Sequence, residues 1–290
     1  MNKKPINIGL FAVILMVLVS AAAHSRVDLH DFAKNFSDDD MEIAASRNSE
    51  LKNSLRWTFG RKPQVGWYLY SDLLRKTLKT EANVDSEEFA EEVASWQRRN
   101  RIASNGVIDR NTLLSFIKHW QSQRIRPIRV APEESLRSAP ISDFFDQTRD
   151  RDLLRVEKET YRAYKNMIAA AINDKVLTLQ TDSEENLSSN EKYLKIISSF
   201  RSPEYQASLR KKEPNAGRAQ IAVNSPHFTG RALDIYVGGE PVTSKDSNRA
   251  IQVETPAYKW LVKNAGKFGF VPYFFEPWHW EYAPENIKSD

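Results

Sequence analysis

Residues 225–234 read Ser225-Pro226-His227-Phe228-Thr229-Gly230-Arg231-Ala232-Leu233-Asp234, and this run decides how the C-terminal half is built. Gly230 permits a sharp turn ahead of the alternating stretch Ala232 to Val237, which reads as a strand. Successive strand side chains face opposite ways. Ala232, Asp234 and Tyr236 therefore share one face, and Leu233, Ile235 and Val237 form the apolar other. Asp234 is held on a rigid element, and the turn lets His227 fold back beside it. A histidine and a carboxylate so placed supply two thirds of a catalytic zinc site, which takes three protein ligands and keeps one position open.

The remaining third lies in Glu276-Pro277-Trp278-His279-Trp280-Glu281-Tyr282. Pro277 pushes Glu276 out of helical geometry, so this is not the helical motif with two histidines one turn apart. On a strand over 278–282, His279 and Glu281 share one face and the three aromatics pack on the other. Glu276, bent away by the turn, reaches over a metal without ligating it, as a base acting on a water must. A lone His beside an Asp is usually a surface pair or a satisfied core polar. His227 and His279 are the only histidines after His119, among five in the chain, and both sit in short aromatic-rich segments, which weighs against that plainer reading.

Outward from these segments, Leu153 to Ile172 reads as an amphipathic helix with Val156, Tyr161, Tyr164, Ile168 and Ala171 inward. Asp182 to Asn190 reads as a polar loop, Tyr193 to Phe200 as a strand or a strand preceded by a short turn, Tyr258 to Phe268 as a helix ending at Gly269, and 270–282 as the closing strands. Helices interleaved with short strands predict an α+β fold with a small antiparallel sheet. Further upstream, Pro127, Pro132 and Pro140 mark 125–141 as a linker between a domain at 142–290 and a helical one at 51–124. In the helical part, Ser86 is a candidate N-cap for a stripe of Phe89, Val93 and Trp96, Asn105-Gly106 suits a positive-φ turn, and Asp109 can cap the next helix. Residues 24–50, with the acidic run Asp38-Asp39-Asp40, read as an exposed lead-in or a marginal helix.

At the N-terminus, Lys3 and Lys4 precede an apolar run from Ile6 to Val19 and the small residues Ser20-Ala21-Ala22-Ala23. This is the pattern of a signal peptide over 1–23, or of an N-terminal anchor if it stays uncleaved. The expected location is exported: periplasmic or cell-envelope, with inner-membrane attachment only in the uncleaved case. The net charge of +4 includes Lys3 and Lys4, so removing the leader leaves 4 − 2 = +2. A near-neutral body without a basic, aromatic-interleaved run gives no reason to expect a nucleic-acid partner. The chain has no cysteine, which excludes disulfides, thiolate metal sites and a cysteine nucleophile.

Two resemblances attach to these residues. Trp96-Gln97, Ile102, Asn105-Gly106-Val107-Ile108-Asp109, Thr112, Leu113 and Phe116 resemble the small three-helix peptidoglycan-binding module, although the same residues suit a plain helical hairpin. The C-terminal motifs are more specific. Ser225, His227, Gly230, Ala232 and Asp234, then Glu276-Pro277-Trp278-His279 and Tyr282, with Phe200-Arg201-Ser202 and Gln206 before them, resemble the VanY-type D-alanyl-D-alanine carboxypeptidases of the Hedgehog/D,D-peptidase fold. The resemblance covers about 150–285. It implies Zn2+ held by His227, Asp234 and His279, Glu276 as catalytic base, and Arg201 binding substrate and steadying the attacked carbonyl oxygen. It also implies that Ser225 and Trp278 contact substrate, and that the substrates are peptidoglycan stem peptides or muropeptides. Phe200 stands where the family often has Tyr, and the Lys211 to Ala222 stretch looks like an insertion near the substrate entrance. The expected activity is release of terminal D-Ala. The alternatives are a D,D- or L-Ala-D-Glu endopeptidase on the same scaffold, or a non-catalytic wall-binding protein with a structural zinc.

Overall fold

The computed structural model describes residues 38–184, 186–212 and 224–287, all within one compact unit, Phe36–Asp290. The expected leader over 1–23 lies outside the described residues, as does most of the stretch expected to be inserted at 211–222, of which 213–222 is not described. Among the described residues no helix is long and apolar enough to cross a membrane.

The first half is helical with one interruption: α1 (Asp38–Ser54), the hairpin β1 (Arg56–Phe59) and β2 (Lys62–Val65), then α2 (Ser71–Leu78), α3 (Glu87–Arg99) and α4 (Arg110–Ser122). The expected caps are present. Ser86 Oγ accepts from the Phe89 amide at 3.3 Å, and Asp109 Oδ1 accepts from the Thr112 amide at 2.8 Å, each using an amide that the first helical turn leaves unpaired. Helix α1 is more than a lead-in. It buries Met41 and Ala44 against Ala90 of α3, and its fully buried Asn48 brackets the Gly106 turn, donating to Gly106 O and accepting from the Ile108 amide. The hairpin is a departure from the uniformly helical reading of 51–123. Gly60 and Arg61 both take positive φ, +55° and +66°, the geometry of a two-residue hairpin turn. A β-compatible run around Trp57 then outweighs the apolar spacing on either side.

The second half runs β3 (Leu136–Ser138), β4 (Arg155–Glu157), α5 (Lys158–Asp174), β5 (Ile196–Ser198), α6 (Pro203–Lys212), β6 (Ala232–Ile235), α7 (Asp246–Glu254), α8 (Pro256–Asn264), β7 (Phe270–Pro272) and β8 (His279–Tyr282). The fold is α+β, as expected, and β5-β6-β8-β7 form a four-stranded antiparallel sheet. The helix expected from Leu153 begins later. Glu157 caps α5 by accepting from the Glu159 and Thr160 amides, which leaves 155–157 extended and paired with β3 inside the expected linker. The predicted inward residues Val156, Tyr161, Tyr164, Ile168 and Ala171 are all buried.

One apolar core runs from Trp57 and Trp67 in the first half to Trp278 and Trp280 in the second. Aromatic rings carry it across: Phe59 sits 4.8 Å from Phe274 and 5.0 Å from Phe275, and Trp120 lies 6.0 Å from Phe274. The buried Arg249 of α7 stacks on Phe275 and donates to Tyr70 Oη at 2.8 Å. The helical half thus grips the two phenylalanines that immediately precede Glu276.

Candidate metal centre

The centre is assembled at the middle of the four-stranded sheet. In the pairing register Asp234 of β6 stands directly opposite His279 of β8 on one side and Ser198 of β5 on the other. Residues 45 apart in sequence are thus cross-strand neighbours. His227 arrives from the 3-10 turn Pro226–Thr229, which Ser225 opens by accepting from the His227 amide and Gly230 closes at φ +66°. Gly230 is needed there twice over, for its left-handed backbone and because a Cβ would approach the Leu136 side chain to 2.8 Å and the Glu157 amide nitrogen to 3.0 Å.

The nearest ligand atoms of His227, Asp234 and His279 all lie within 4.8 Å of one another, and all three side chains are buried. The ring orientations are fixed from outside. His227 Nδ1 donates to Ser199 O at 2.7 Å, so its unprotonated Nε2 faces Asp234 at 3.3 Å. His279 Nε2 meets Glu281 Oε1 at 3.2 Å, and its Nδ1 faces Asp234 Oδ1 at 2.9 Å. Each ring anchors one nitrogen to a protein oxygen and presents the other inward, the arrangement that orients metal-binding imidazoles. These donors fit a metal ion: two imidazole nitrogens and a carboxylate converge in a buried pocket, and the set can hold one.

The electrostatics agree with that reading. Burial, helped by the Arg201 charge, holds His227 down at about 4, so it is neutral. Burial also works against His279, but its bonds to Asp234 and Glu281 win and raise it to about 9; a proton between His279 and Asp234 takes the place a metal would claim. Asp234 is ionised. Burial opposes its charge, but His227, His279 and Arg201 outweigh burial and hold it well below the usual carboxylate range.

Glu276 is different. It is 7% exposed, and its Oε1 has no hydrogen-bond partner among the described residues. Burial is the chief reason its carboxyl is lifted to about 7. Arg201 donates through Nη2 to Asp234 Oδ2 at 2.7 Å and through Nε to Ser198 Oγ at 2.9 Å, so it is fastened to the centre. Its Nη1 makes no hydrogen bond among the described residues. Ser225 and Trp278 are both buried and line the same cleft, and Trp278 also belongs to the apolar core that holds Trp280.

That cleft encloses about 1010 Å3. Its charged lining consists of Arg124, Arg126, Arg149 and Arg201 against Asp234 and Glu276, apart from the two histidines. The first three arginines were not singled out in the sequence. Arg124 ends the expected helical domain and Arg126 lies at the start of the expected linker, and residues two apart on extended chain share a side. Arg149 donates to Leu153 O at 3.2 Å and Ile197 O at 2.9 Å, and has no acidic partner among the described residues.

A buried His–Asp–His set that could hold a metal ion thus sits beside a buried acid on an α+β scaffold. Residues 153–285 match the family of VanY D-alanyl-D-alanine carboxypeptidases, and every site residue expected from the sequence falls within that segment. Among solved structures the chain is similar to the LdcB LD-carboxypeptidase, described with its peptidoglycan recognition, at 24% identity over 54% of this chain and 71% of that one, with a TM-score of 0.38. No curated protein matches the chain.

Proposed function

We propose that this protein is a zinc-dependent D-alanyl-D-alanine carboxypeptidase that trims the stem peptides of peptidoglycan. The observation that carries the reading is the pairing of a convergent, buried His227–Asp234–His279 set with a buried Glu276 whose Oε1 has no hydrogen-bond partner among the described residues. A purely structural metal site has no use for such a group, since an unpaired buried carboxylate is costly to the fold. The family match supports the peptide substrate class.

His227, Asp234 and His279 would hold the zinc, which when bound would supply Lewis acidity toward the scissile carbonyl and a lowered pKa of a water. Glu276 Oε1 takes a proton from the attacking water and delivers it to the departing amine nitrogen, so the C–N bond is replaced by a C–O bond with no net change of protons. Arg201, whose Nη1 makes no hydrogen bond among the described residues, would steady the developing charge on the carbonyl oxygen. Since Arg201 is fastened to Asp234, the terminal carboxylate falls to Arg149, a cation fixed by backbone carbonyls in the same cleft. The leader-like sequence at 1–23 supports work outside the cytoplasm.

The test is a stem pentapeptide with a free C-terminus beside the same peptide amidated, each with and without chelator, and product identification by mass. Loss of one D-Ala from the free peptide alone, abolished by chelator and restored by zinc, is the expected result. Equal cleavage of both peptides would replace the carboxypeptidase with an endopeptidase.

A further inference from the structure

Glu281 is fully buried two residues after a proposed ligand, and the centre itself does not use it. Its carboxylate is nonetheless saturated. Oε1 accepts from Arg124 through both Nε, at 2.8 Å, and Nη2, and meets His279 Nε2. Oε2 accepts from the Ile125 amide at 2.8 Å. The opposing residues on the neighbouring strands are Ala232 and Val271; the small Ala232 side chain leaves room beside Glu281. Arg124 follows α4 at the end of the helical half, 157 positions from Glu281 and ahead of the segment that matches the carboxypeptidase family.

Arg124 is itself held in place. Its guanidinium lies 3.9 Å from the centre of the Tyr273 ring, which stands edge-on to the His279 ring at 5.9 Å. Asn286 Nδ2 donates to the backbone oxygens of Gln123 and Arg124 at 3.1 and 3.2 Å, and Ile125 packs with Val271 and Ala283. A buried carboxylate with its charge matched and its orientation set by three donors holds its fourth partner, the imidazole, in one ring position.

We infer that Arg124 is a positioning residue for the metal centre: acting through Glu281, it fixes which nitrogen of His279 faces the metal, so the helical half completes the site as well as packing against it. The inference rests on the zinc reading above. With Arg124 removed, Glu281 loses two of the three donors that hold it and keeps only the Ile125 amide. The His279 ring then gains freedom to turn, and the carboxylate gains reason to draw the ring away from Asp234. The helical half also grips Phe274 and Phe275 ahead of Glu276, so ligand and base are both placed from there.

The experiment uses the full chain, with zinc affinity measured by chelator competition and the visible spectrum of the cobalt-substituted protein recorded alongside thermal melting. Arg124→Ala and Glu281→Gln should each weaken zinc binding by roughly 10–100-fold and alter the cobalt spectrum, because outer partners of metal-bound histidines carry that much. Arg124→Lys, which keeps one charged donor, should recover part of the affinity. The double variant should be little worse than the weaker single one, since both act on one contact. Arg231→Ala breaks an exposed ion pair with Glu285 and should leave zinc affinity unchanged. Wild-type affinity and an unaltered spectrum in folded Arg124→Ala, or in Arg124→Lys and Glu281→Gln should the alanine variant not fold, would overturn the positioning role. If the wild-type chain binds no zinc, it is the functional reading that fails.

Discussion

Gln97 and Glu276 are both buried polar side chains of similar size, and the molecule treats them in opposite ways. Gln97, on α3, spends every group. Its amide nitrogen donates to Asn105 Oδ1, Val107 O and Thr112 Oγ1, and its oxygen accepts from the Asn105 and Gly106 amides. Glu276 keeps Oε1 unpartnered, and burial lifts its carboxyl to about 7. A satisfied buried group holds structure together. An unsatisfied one is maintained by the rest of the fold at a cost in stability, and such groups gather where chemistry is done. The motif residues of the helical half that resemble a peptidoglycan-binding module are thus engaged in holding their own turn.

Replacing each residue should separate the two roles, and the largest effect belongs to Glu276. Glu276→Gln should lower turnover by roughly 10²–10⁴-fold, the usual loss for a general base. It should not lower the melting temperature at pH 8. A carboxyl whose folded pKa is raised holds its proton more tightly when folded, so its ionisation weakens the fold as pH rises from the unfolded value through about 7. A variant that loses stability but keeps hydrolysis would reverse the comparison.

Arg149→Gln should come next, lowering kcat/KM on the free pentapeptide by about 10–100-fold, the worth of one or two charge-assisted hydrogen bonds. The amidated peptide should hardly notice the change. Equal losses on both peptides would move the carboxylate anchor elsewhere in the cleft.

The pH profile sharpens the same point more gently. Glu276 must be ionised to accept a proton, so kcat/KM should climb with rising pH along an acid limb. Burial is the chief cause of a midpoint raised to about 7, and a bound cation would pull it lower. A wild-type activity that falls with rising pH through the acid range would rule Glu276 out as the base.

Gln97→Ala should have the smallest effect on hydrolysis, none per folded molecule, while destabilising by roughly 1–3 kcal/mol because the buried Gly106 amide is left unpaired. Melting curves paired with activity at 25 °C check this. Lost activity in fully folded Gln97→Ala would tie the helical turn to the centre.

What the sequence could reveal follows the range of the forces involved. Caps at Ser86 and Asp109, the Gly230 turn and the alternation through Asp234 are local, and each is present in the structure. The α+β class follows from the order of such elements. The late start of α5 was missed because Glu157 reads as an ordinary helical residue until its side chain turns back onto the amides of 159 and 160. The hairpin at 56–65 hides because Arg61 is an unexpected residue at positive φ. Register is the deeper limit. Motifs bring His227, Asp234 and His279 to notice, but only strand pairing places Asp234 opposite His279, and nothing local joins Arg124 to Glu281. Trp278 combines both readings the sequence offers, packing with the core aromatics and lining the cleft just before β8.

The central claim is that His227, Asp234 and His279 hold one zinc while Glu276 acts on what the zinc prepares. Metal analysis of the purified wild type, Glu276→Gln and His279→Ala tests it most directly. The account predicts about one zinc per chain in the first two and nearly none in the third. Zinc retained in full without His279, or lost with Glu276→Gln, would contradict it.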